Sequence, residues 1–417
     1  MPKTFYITTL GCKLNYSESS HIARELQRQG FENASNPDYY ILNTCTVTGI
    51  AEKKARSLIA QFHRKNPNAE IIVIGCFSAR DKAFVENLPG VTKVFGSKDK
   101  INVIAYLASH TSHLVPLTSH LSPLTFFSTF SSHERTRSFL KIQDGCDYHC
   151  SYCAVARARG ESRSDTIANV LENLEKIARL NCKEVVLTGV NTGDFGRKNG
   201  ETFFQLLKEI DTRKPVERVR ISSIEPHLLT NEIIQLVVNS SVLMPHFHIP
   251  LQSGADQVLT AMKRRYNTAL FADKVSKIKS LMPYACIAVD MISGFPTETK
   301  ADFEESVVFL NKLPISYLHI FTYSKRPETP AGEMKPQVKD SVKKERTKIL
   351  LQLSETKKKA FYQEHFNTQR AVLFEDAQKN DMIFGFTDNY IRVSTPFQEN
   401  LTNQIINIQL TALNTEI

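Results

Sequence analysis

The stretch that decides the fold is Gly145-Cys146-Asp147-Tyr148-His149-Cys150-Ser151-Tyr152-Cys153, which holds three closely spaced cysteines. The spacing C-x-x-x-C-x-x-C supplies three thiolates, whereas a cubane iron–sulfur cluster usually takes four cysteines, one for each iron. Three thiolates leave one iron open to a ligand from outside the protein, and an open metal position is typical of a catalytic site. The pattern therefore predicts an iron–sulfur cluster that takes part in catalysis.

The neighbouring residues indicate where this stretch lies in the fold. It follows the apolar run at 139–142, so we expect the cysteines on a loop at the carboxyl end of a strand, where barrel enzymes keep their active sites. A zinc site would need a fourth ligand, and the local candidate, His149, is poorly placed beside Cys150 to close a tetrahedron. A disulfide framework is disfavoured, because eight cysteines are sparse for 417 residues.

Composition and charge limit the class of protein. A chain of 417 residues favours two or three domains over one. The net charge of +9 suits a polyanionic partner, although many basic proteins bind no nucleic acid. The N-terminus has no apolar secretory segment and no run approaches membrane-spanning length, so we expect a cytoplasmic protein with reduced thiols and no membrane partner.

The first hundred residues alternate between strand-like and helical patterns. Strand-like runs lie at 5–10, 39–42 and 70–74, with helical patterns such as 18–29 between them, which predicts a doubly wound parallel α/β domain. One cysteine follows each run, namely Cys12, Cys45 and Cys76. Because parallel strands end at the same edge of a sheet, these thiols are expected to meet there and to hold a second three-cysteine cluster. The alternative is three unrelated, partly buried cysteines.

The centre of the chain resumes the alternation after a change in composition. Residues 108–132 are rich in Ser, Thr, His, Leu and Pro, which favours a linker over a histidine metal site. Beyond them, helical patterns separate six strand candidates at 139–143, 184–188, 218–222, 246–250, 286–292 and 317–322. Six strand–helix units predict a partial barrel that is open on one side.

Loops after these strands carry candidate ligand-binding residues. Thr188 and Gly189 follow the second strand, and the glycine would let backbone groups approach a ligand closely. Glu225 and Gln252 follow the third and fourth strands, where each either contacts a ligand or caps the next helix. Cys182 and Cys286 are expected to be ordinary packed cysteines.

The C-terminal part begins with a basic helical pattern and ends in short β runs. In the helix at 339–366, Leu350, Leu351 and Phe361 are expected to face the core, whereas Lys343 and Arg346 are expected to face solvent. Four β runs at 371–375, 383–386, 390–393 and 405–410 then predict a small antiparallel barrel, a shape that often binds RNA.

Taken together, the motifs resemble those of the methylthiotransferases of the radical S-adenosylmethionine superfamily. The resemblance covers nearly the whole chain. Its marks are Thr9-Leu10-Gly11-Cys12-Lys13-Leu14-Asn15, Asn43-Thr44-Cys45-Thr46-Val47-Thr48, Ile74-Gly75-Cys76, the central triad, His248-Ile249-Pro250-Leu251-Gln252-Ser253-Gly254 and Phe321-Thr322-Tyr323-Ser324-Lys325-Arg326. The C-terminal β runs resemble the family's TRAM domain.

The resemblance implies an α/β enzyme in four segments. They are an N-terminal domain at 1–108, a linker at 109–134, a radical core ending in the basic helix at 135–366, and a TRAM-like RNA-binding domain at 367–417. The implied cofactors are two [4Fe-4S] clusters and S-adenosylmethionine. The N-terminal triad would hold an auxiliary cluster and the central triad the cluster that generates a radical. The implied partners are tRNA, a sulfur donor, and a flavodoxin or ferredoxin type of reductant.

The resemblance also implies a substrate and its contacts. The second cysteine motif and the short C-terminal unit look most like the subgroup that methylthiolates N6-threonylcarbamoyladenosine at C2 in tRNA, at position 37 beside the anticodon. A substrate carboxylate would suit Arg157, Arg159 or Arg265. The residues expected to contact S-adenosylmethionine are Tyr152, Thr188, Gly189, Glu225 and Gln252. The open alternatives are isopentenyladenosine in tRNA, a ribosomal protein aspartate, and an iron–sulfur RNA-binding or electron-transfer protein without radical chemistry.

Overall fold

The computed structural model describes residues 2–46, 49–110, 126–132, 136–326 and 328–416. Residues 111–125 and 133–135 of the expected linker, and residues 47–48 of the second cysteine motif, lie outside this description. The described chain forms parallel sheets flanked by helices, followed by an antiparallel sheet, so the predicted α/β class is confirmed. No helix in the described ranges is both long and apolar enough to cross a membrane.

The N-terminal part forms a five-stranded parallel sheet. Its strands are β1 (Thr4–Thr9), β2 (Glu32–Asn33), β3 (Tyr39–Thr44), β4 (Glu70–Gly75) and β5 (Val91–Phe95). Its helices are α1 (Lys13–Arg28), α2 (Gly49–Lys65), α3 (Cys76–Arg80), α4 (Lys82–Glu86) and α5 (Asn102–Ala108). The strand order is β2-β1-β3-β4-β5, which brings β1, β3 and β4 together as neighbours.

Alternating side chains of these strands cover both faces of the sheet. Tyr39 and Ile41 pack in a cluster with α1 and α5, whereas Tyr40 and Leu42 pack in a second cluster with α2, α3 and α4. Both faces are therefore buried, and the strands read as continuous apolar runs because every side chain has a helix to pack against. A parallel sheet with helices packed on both faces is a doubly wound arrangement.

The central part contains six parallel strands in two sheets. They are β7 (Arg137–Lys141), β10 (Glu184–Thr188), β11 (Arg218–Ile221), β12 (His246–Gln252), β13 (Cys286–Ser293) and β14 (Tyr317–Thr322), in the orders β11-β10-β7 and β12-β13-β14. One parallel bridge, between Val219 and Leu243, links the first sheet to the chain just before the second. Short antiparallel pairings add β6 (Thr129–Phe130) beside β7, and β8 (Gln143–Asp144) beside β9 (Arg163–Ser164).

Helices cover the outside of the central strands. They are α6 (Val155–Arg159), α7 (Ile167–Arg179), α8 (Phe203–Arg213), α9 (Asn231–Asn239), α10 (Asp256–Ala261), α11 (Thr268–Leu281), α12 (Lys300–Lys312), α13 (Pro330–Glu333) and α14 (Asp340–Gln363). One large apolar cluster joins these helices, apart from α6 and α13, to the strands. The prediction of six strands separated by helices is confirmed, and the polar loops lie at the carboxyl ends of those strands.

The C-terminal residues form a four-stranded antiparallel sheet that is bonded to the central part. Its strands are β15 (Gln369–Lys379), β16 (Met382–Thr387), β17 (Arg392–Pro396) and β18 (Ile405–Gln409), in the order β17-β16-β15-β18. From β11, Arg218 donates to the carbonyl of Ala371 at 2.7 Å, and Arg220 donates to the carbonyls of Thr387 and Asp388, each at 2.7 Å. The sheet is therefore docked by buried polar contacts.

The prediction of the buried face of α14 was partly wrong. Leu350 and Phe361 are buried as expected, but Leu351 is 51% exposed. Lys343 and Arg346, which were expected to face solvent, are buried. Arg346 is drawn inward because it pairs with the Glu298 carboxylate and donates to the carbonyl of Thr299 at 3.0 Å. Charged partners from elsewhere in the chain thus widened the buried stripe of the helix.

A buried ionic network joins the N-terminal and central parts. Glu18 of α1 is 1% exposed and pairs with Lys100, with Lys141 at 3.1 Å and with Arg159 at 3.3 Å. Arg159 also pairs with Asp144 at 2.8 Å. Burial alone would raise the pKa of the Glu18 carboxyl, but Lys100, Arg159 and Lys141 outweigh burial and lower its pKa to about 2. The carboxylate therefore stays charged and holds the surrounding cations.

Removing the charge of Glu18 should destabilise the fold. Glu18→Gln keeps the size of the side chain but leaves buried cations without their carboxylate, which should lower the free energy of unfolding by about 3–5 kcal/mol. Chemical denaturation measures this loss. The matched control is Glu172→Gln, which removes an exposed carboxylate on α7 and should leave the unfolding free energy nearly unchanged.

The lowered pKa of Glu18 also predicts how the stability of the protein depends on pH. Because the folded-state pKa of Glu18 is lowered, its stabilisation is present above the ordinary value of 4.5 and is lost as pH falls towards about 2. Glu18→Gln should therefore lose less stability than the parent protein over that interval. Equal losses in both proteins between these two pH values would contradict the assigned role of the carboxylate.

Candidate active site

The central cysteines line a cavity at the carboxyl ends of the central strands. This central cavity measures about 280 Å³ and is bordered by Cys146, Cys150 and Cys153 together with Tyr152, Glu225, Gln252, Arg264, Asp290 and Arg326. The three cysteines lie between β8 and α6, on the loop expected from the sequence. The prediction that this stretch forms a loop after a central strand is confirmed.

The shape of the cysteine loop depends on local backbone contacts. Gly145 has a φ of +71°, and a Cβ atom there would lie 1.9 Å from the carbonyl oxygen of Glu161, so this position requires glycine. The amide of Tyr148 donates to Cys146 Sγ and the amide of Val155 donates to Cys153 Sγ, both at 3.4 Å. Backbone donors thus point at two of the three sulfurs.

The thiols of this loop fit a cluster better than a single zinc ion. Within the described ranges, neither cysteine triad has its three sulfurs within 4.8 Å of one another. The group of potential metal ligands that does meet this limit is His248, Asp290 and His319. Tetrahedral zinc, with bonds of about 2.3 Å, would hold its sulfurs only about 4 Å apart. Burial raises the pKa of the Cys146 thiol to about 12, so metal binding would have to displace its proton.

Arg264 is the residue of this cavity that sequence reasoning missed. Its guanidinium donates to Cys150 Sγ at 3.1 Å, donates to the Tyr152 hydroxyl at 3.3 Å and pairs with the Glu225 carboxylate. It therefore links a thiol, an aromatic side chain and an acid. The basic cluster at 263–265 was the available signal, but spacing alone did not distinguish Arg264 from the exposed Arg265 beside it.

The five expected cofactor contacts divide into two groups. Tyr152, Glu225 and Gln252 line the central cavity, and Gln252 has a φ of +70° at an irregularity in β12. Thr188 does not line it, because its side chain is buried and its hydroxyl donates to the carbonyl of Leu140 at 3.0 Å. Gly189 faces the Gln143 side chain instead of the cavity. Thr188 and Gly189 therefore do not border this cavity, and their contact with S-adenosylmethionine stays a prediction.

The N-terminal cysteines lie along one edge of the sheet, as the strand pattern predicted. β1 pairs with β3 and β3 with β4, so Cys12, Cys45 and Cys76 follow three adjacent strand ends. Gly11 has a φ of +111°, and a Cβ atom there would lie 2.6 Å from Cys45 Cβ. Asn15 donates to the carbonyls of Leu10 at 2.9 Å and Thr44 at 3.0 Å, which ties the first cysteine loop to the second.

A second cavity lies beside the central one, lined by residues of the central strands and of the first cysteine loop. This basic cavity measures about 270 Å³ and is lined by residues that include Cys12, Lys13, Arg137, Arg220, His246 and His248. His248 and Asp290 form a hydrogen bond of 2.6 Å, and Asp290 borders the central cavity. This pair therefore stands between the cavity that Cys12 borders and the cavity that the central triad borders.

The three arginines expected to bind substrate have different surroundings. Arg159 is 2% exposed, and its guanidinium is held by Glu18, Asp144 and Asn15. The prediction that Arg159 binds a substrate carboxylate was wrong, because protein carboxylates already neutralise it. Arg157 is exposed and pairs with Glu328 at 3.4 Å. Arg265 is exposed and stacks 3.8 Å from the centre of the Tyr148 ring, at the border of the central cavity.

Comparison with known families identifies both cysteine-bearing parts. The profile of the radical SAM superfamily matches residues 140–310, and the profile described as Uncharacterized protein family UPF0004 matches residues 4–96. Among solved structures, a radical S-adenosylmethionine methyltransferase, TsrM, from Kitasatospora setae aligns with a TM-score of 0.58 at 15% identity, covering 80% of this chain and 77% of that one. That likeness concerns the fold. The fold and the three-cysteine cavity define a radical S-adenosylmethionine enzyme.

Three relatives show to which family of radical S-adenosylmethionine enzymes the chain belongs. Two similar proteins are named threonylcarbamoyladenosine tRNA methylthiotransferase MtaB. The one from Bacillus subtilis is 35% identical over 96% of this chain and 92% of its own length. The one from Thermotoga maritima is 36% identical over 94% of this chain and 91% of its own length. A tRNA-2-methylthio-N(6)-dimethylallyladenosine synthase from a Hydrogenobaculum species is 30% identical over 92% and 91%. The chain belongs to the radical S-adenosylmethionine methylthiotransferase family, whose superfamily uses S-adenosylmethionine and a [4Fe-4S] cluster.

Arg264 should help the central cavity to retain iron. Arg264→Met removes the donor to Cys150 and leaves Glu225 without its cation, so iron bound at this cavity should be lost to a chelator about tenfold faster. The measurement is the rate of iron release from anaerobically reconstituted protein. Arg265→Met, one position along the chain, is the matched control and should release iron at the parental rate; equal acceleration in both variants would refute the role of Arg264.

Proposed function

We propose that this enzyme methylthiolates N6-threonylcarbamoyladenosine in tRNA, at C2 of the base at position 37. The observation that carries the proposal is that Cys12 of the N-terminal triad borders one cavity and all three central cysteines border its neighbour. Such an arrangement suits a reaction that needs both a radical source and a sulfur source beside one substrate. The substrate follows the names of the relatives at 35% and 36% identity, with the isopentenyl-type base of the 30% relative as the alternative.

The cysteines are proposed to hold two [4Fe-4S] clusters. Cys146, Cys150 and Cys153 would hold the cluster that binds S-adenosylmethionine, and Cys12, Cys45 and Cys76 would hold an auxiliary cluster. When bound, these groups supply the radical and the sulfur chemistry. The chain supplies positions: Tyr152, Glu225 and Gln252 border the space for S-adenosylmethionine, and Arg264 balances charge between Cys150 and Glu225.

We propose that the chain is organised in four segments, the last of which binds tRNA. The proposed segments are 1–108, a linker at 109–134, a partial six-strand barrel within 135–366 and a TRAM-like RNA-binding unit at 367–417. Support comes from the net charge of +9 and from the antiparallel sheet docked on β11. Arg157 and Arg265 are exposed cations that we propose contact the RNA.

The reaction needs two further partners that we propose from its chemistry. A flavodoxin or ferredoxin type of reductant would supply electrons to the central cluster, and a separate donor would replace the sulfur consumed in each turnover. A tRNA substrate also implies that the enzyme works in the cytoplasm. These partners follow from the proposed reaction and have no binding surface assigned to them.

Iron content tests the assignment of the two clusters. Anaerobically reconstituted protein should hold about eight irons, as two cubanes require. Replacing Cys146, Cys150 and Cys153 together by Ala should leave about half, and so should replacing Cys12, Cys45 and Cys76. Cys182→Ala is the control, because Cys182 lies outside both triads and should leave the iron content unchanged. A parent protein that never exceeds one cluster would refute the two-cluster assignment.

Substrate choice tests the proposed reaction. The purified enzyme, supplied with S-adenosylmethionine, reductant and sulfide, should methylthiolate tRNA carrying threonylcarbamoyladenosine in preference to tRNA carrying isopentenyladenosine. A site that pairs with a buried charge discriminates against substrates that lack it, because its own cation is then left unpaired. Mass spectrometry of the nucleosides measures the preference. Preferential methylthiolation of the isopentenyl tRNA would overturn the substrate while leaving the family intact.

A further inference from the structure

The cations that line the two cavities differ in whether a carboxylate neutralises them. Arg264 pairs with Glu225 and Arg326 pairs with Glu52 at 2.7 Å. In the basic cavity, Arg137 pairs with Glu375 at 2.9 Å and Arg220 pairs with Glu184 at 2.7 Å. Lys13 lines the same cavity and, within the described part of the chain, has neither a hydrogen bond nor an ion pair.

Lys13 occupies a position suited to an anion. It is the first residue of α1, a helix of 16 residues whose N-cap, Cys12, makes no side-chain cap hydrogen bond. The start of a helix carries partial positive charge from its unpaired amide groups. Asp290, the carboxylate that acts electrostatically on Lys13 from the border of the central cavity, is engaged by His248 at 2.6 Å and does not pair with Lys13. The amine is therefore available to a ligand.

His246 independently indicates that the cavity receives a polar ligand. Its side chain is 8% exposed and lines the basic cavity, and neither of its ring nitrogens has a hydrogen-bond partner. Its ring packs against that of Tyr390 at a tilt of 33°, with centroids 4.4 Å apart. A buried imidazole without partners costs free energy unless a bound group satisfies it. The lysine and the histidine thus present a cation and a buried N–H to one small space.

We propose that the basic cavity binds the carboxylate of the threonylcarbamoyl group, with Lys13 as its cation and His246 as a hydrogen-bond donor. The inference rests on the proposed function and names the residues that select its substrate. It replaces the sequence expectation that assigned this task to Arg159. A hydrosulfide anion carries the same charge as the carboxylate, so the same cavity would attract it. The experiment must therefore distinguish binding of the carboxylate from binding of hydrosulfide.

The experiment crosses one change in the protein with one change in the ligand. Anticodon stem-loop RNAs carrying threonylcarbamoyladenosine or its neutral methyl ester are bound to the reconstituted parent enzyme and to Lys13→Gln. The parent should bind the acid about tenfold or more tightly than the ester, as a charge-assisted hydrogen bond predicts. Lys13→Gln should bind the acid no better than the ester and bind the ester within about twofold of the parent, a coupling that marks direct contact.

Two further variants keep the test specific. Lys13→Arg retains the charge and should restore most of the preference for the acid. Lys208→Gln removes an exposed lysine on α8, outside both cavities, and should behave as the parent. Iron content and deoxyadenosine formation are measured on every variant, so that a damaged cluster beside Cys12 is recognised as such.

Three results would overturn the inference. An unchanged acid-to-ester ratio in Lys13→Gln would show that Lys13 does not contact the carboxylate. An equal loss of turnover on acid and ester, restored by excess sulfide, would assign the cavity to hydrosulfide. If the parent enzyme turns over both RNAs without preference, the proposed carboxylate subsite is refuted but the proposed reaction stands. If the parent enzyme turns over only isopentenyl RNA, the proposed function itself is refuted.

Discussion

The buried guanidinium of Arg159 is the interaction on which the relation between the two cysteine sites depends. It donates to Asn15, three residues after Cys12, at 2.5 Å and to Asp144, two residues before Cys146, at 2.8 Å. Unlike apolar packing, these charge-assisted contacts fix direction as well as distance. Since a buried cation that lost its partners would be costly, the network holds the N-terminal and central parts in one arrangement.

That arrangement explains why the chemistry can be divided between two sheets. In each sheet, parallel strands end at a shared edge, and short loops at that edge carry the cysteines. The pairing of His248 with Asp290 marks the boundary where the two cavities meet. Each site keeps its own surroundings, with Arg264 beside the central triad and Lys13 next to Cys12 of the other, which suits the proposed action of both sites on one substrate.

The sequence predicted the features that depend on local periodicity. The central strands, the doubly wound sheet and the positions of the cysteines after strand ends all follow from apolar patterns over short windows. It failed where the partner of a charge lies far along the chain. Arg159 meets Glu18, 141 residues away, and Arg346 meets Glu298, 48 residues away, and no local pattern records either contact. Arg264 was missed for the same reason, since Glu225 is distant in sequence.

Thr188 and Gly189 show a different limit of sequence reasoning. A polar loop at a strand end is a good predictor of the edge where ligands bind, but not of which side chains turn towards the cavity. The hydroxyl of Thr188 turns back to the carbonyl of Leu140, while Asn191, three residues later, borders the central cavity. Tertiary packing decides this orientation, so the location of the site was predictable and its individual contacts only partly so.

The most direct test of the account is an analysis of tRNA nucleosides from cells that lack this protein. We predict that 2-methylthio-N6-threonylcarbamoyladenosine disappears and that its precursor, N6-threonylcarbamoyladenosine, accumulates. Returning the parent protein should restore the methylthio form, and returning a protein with the N-terminal cysteines replaced should not. Persistence of the methylthio form in cells without the protein, with loss of the isopentenyl methylthio nucleoside instead, would contradict the account.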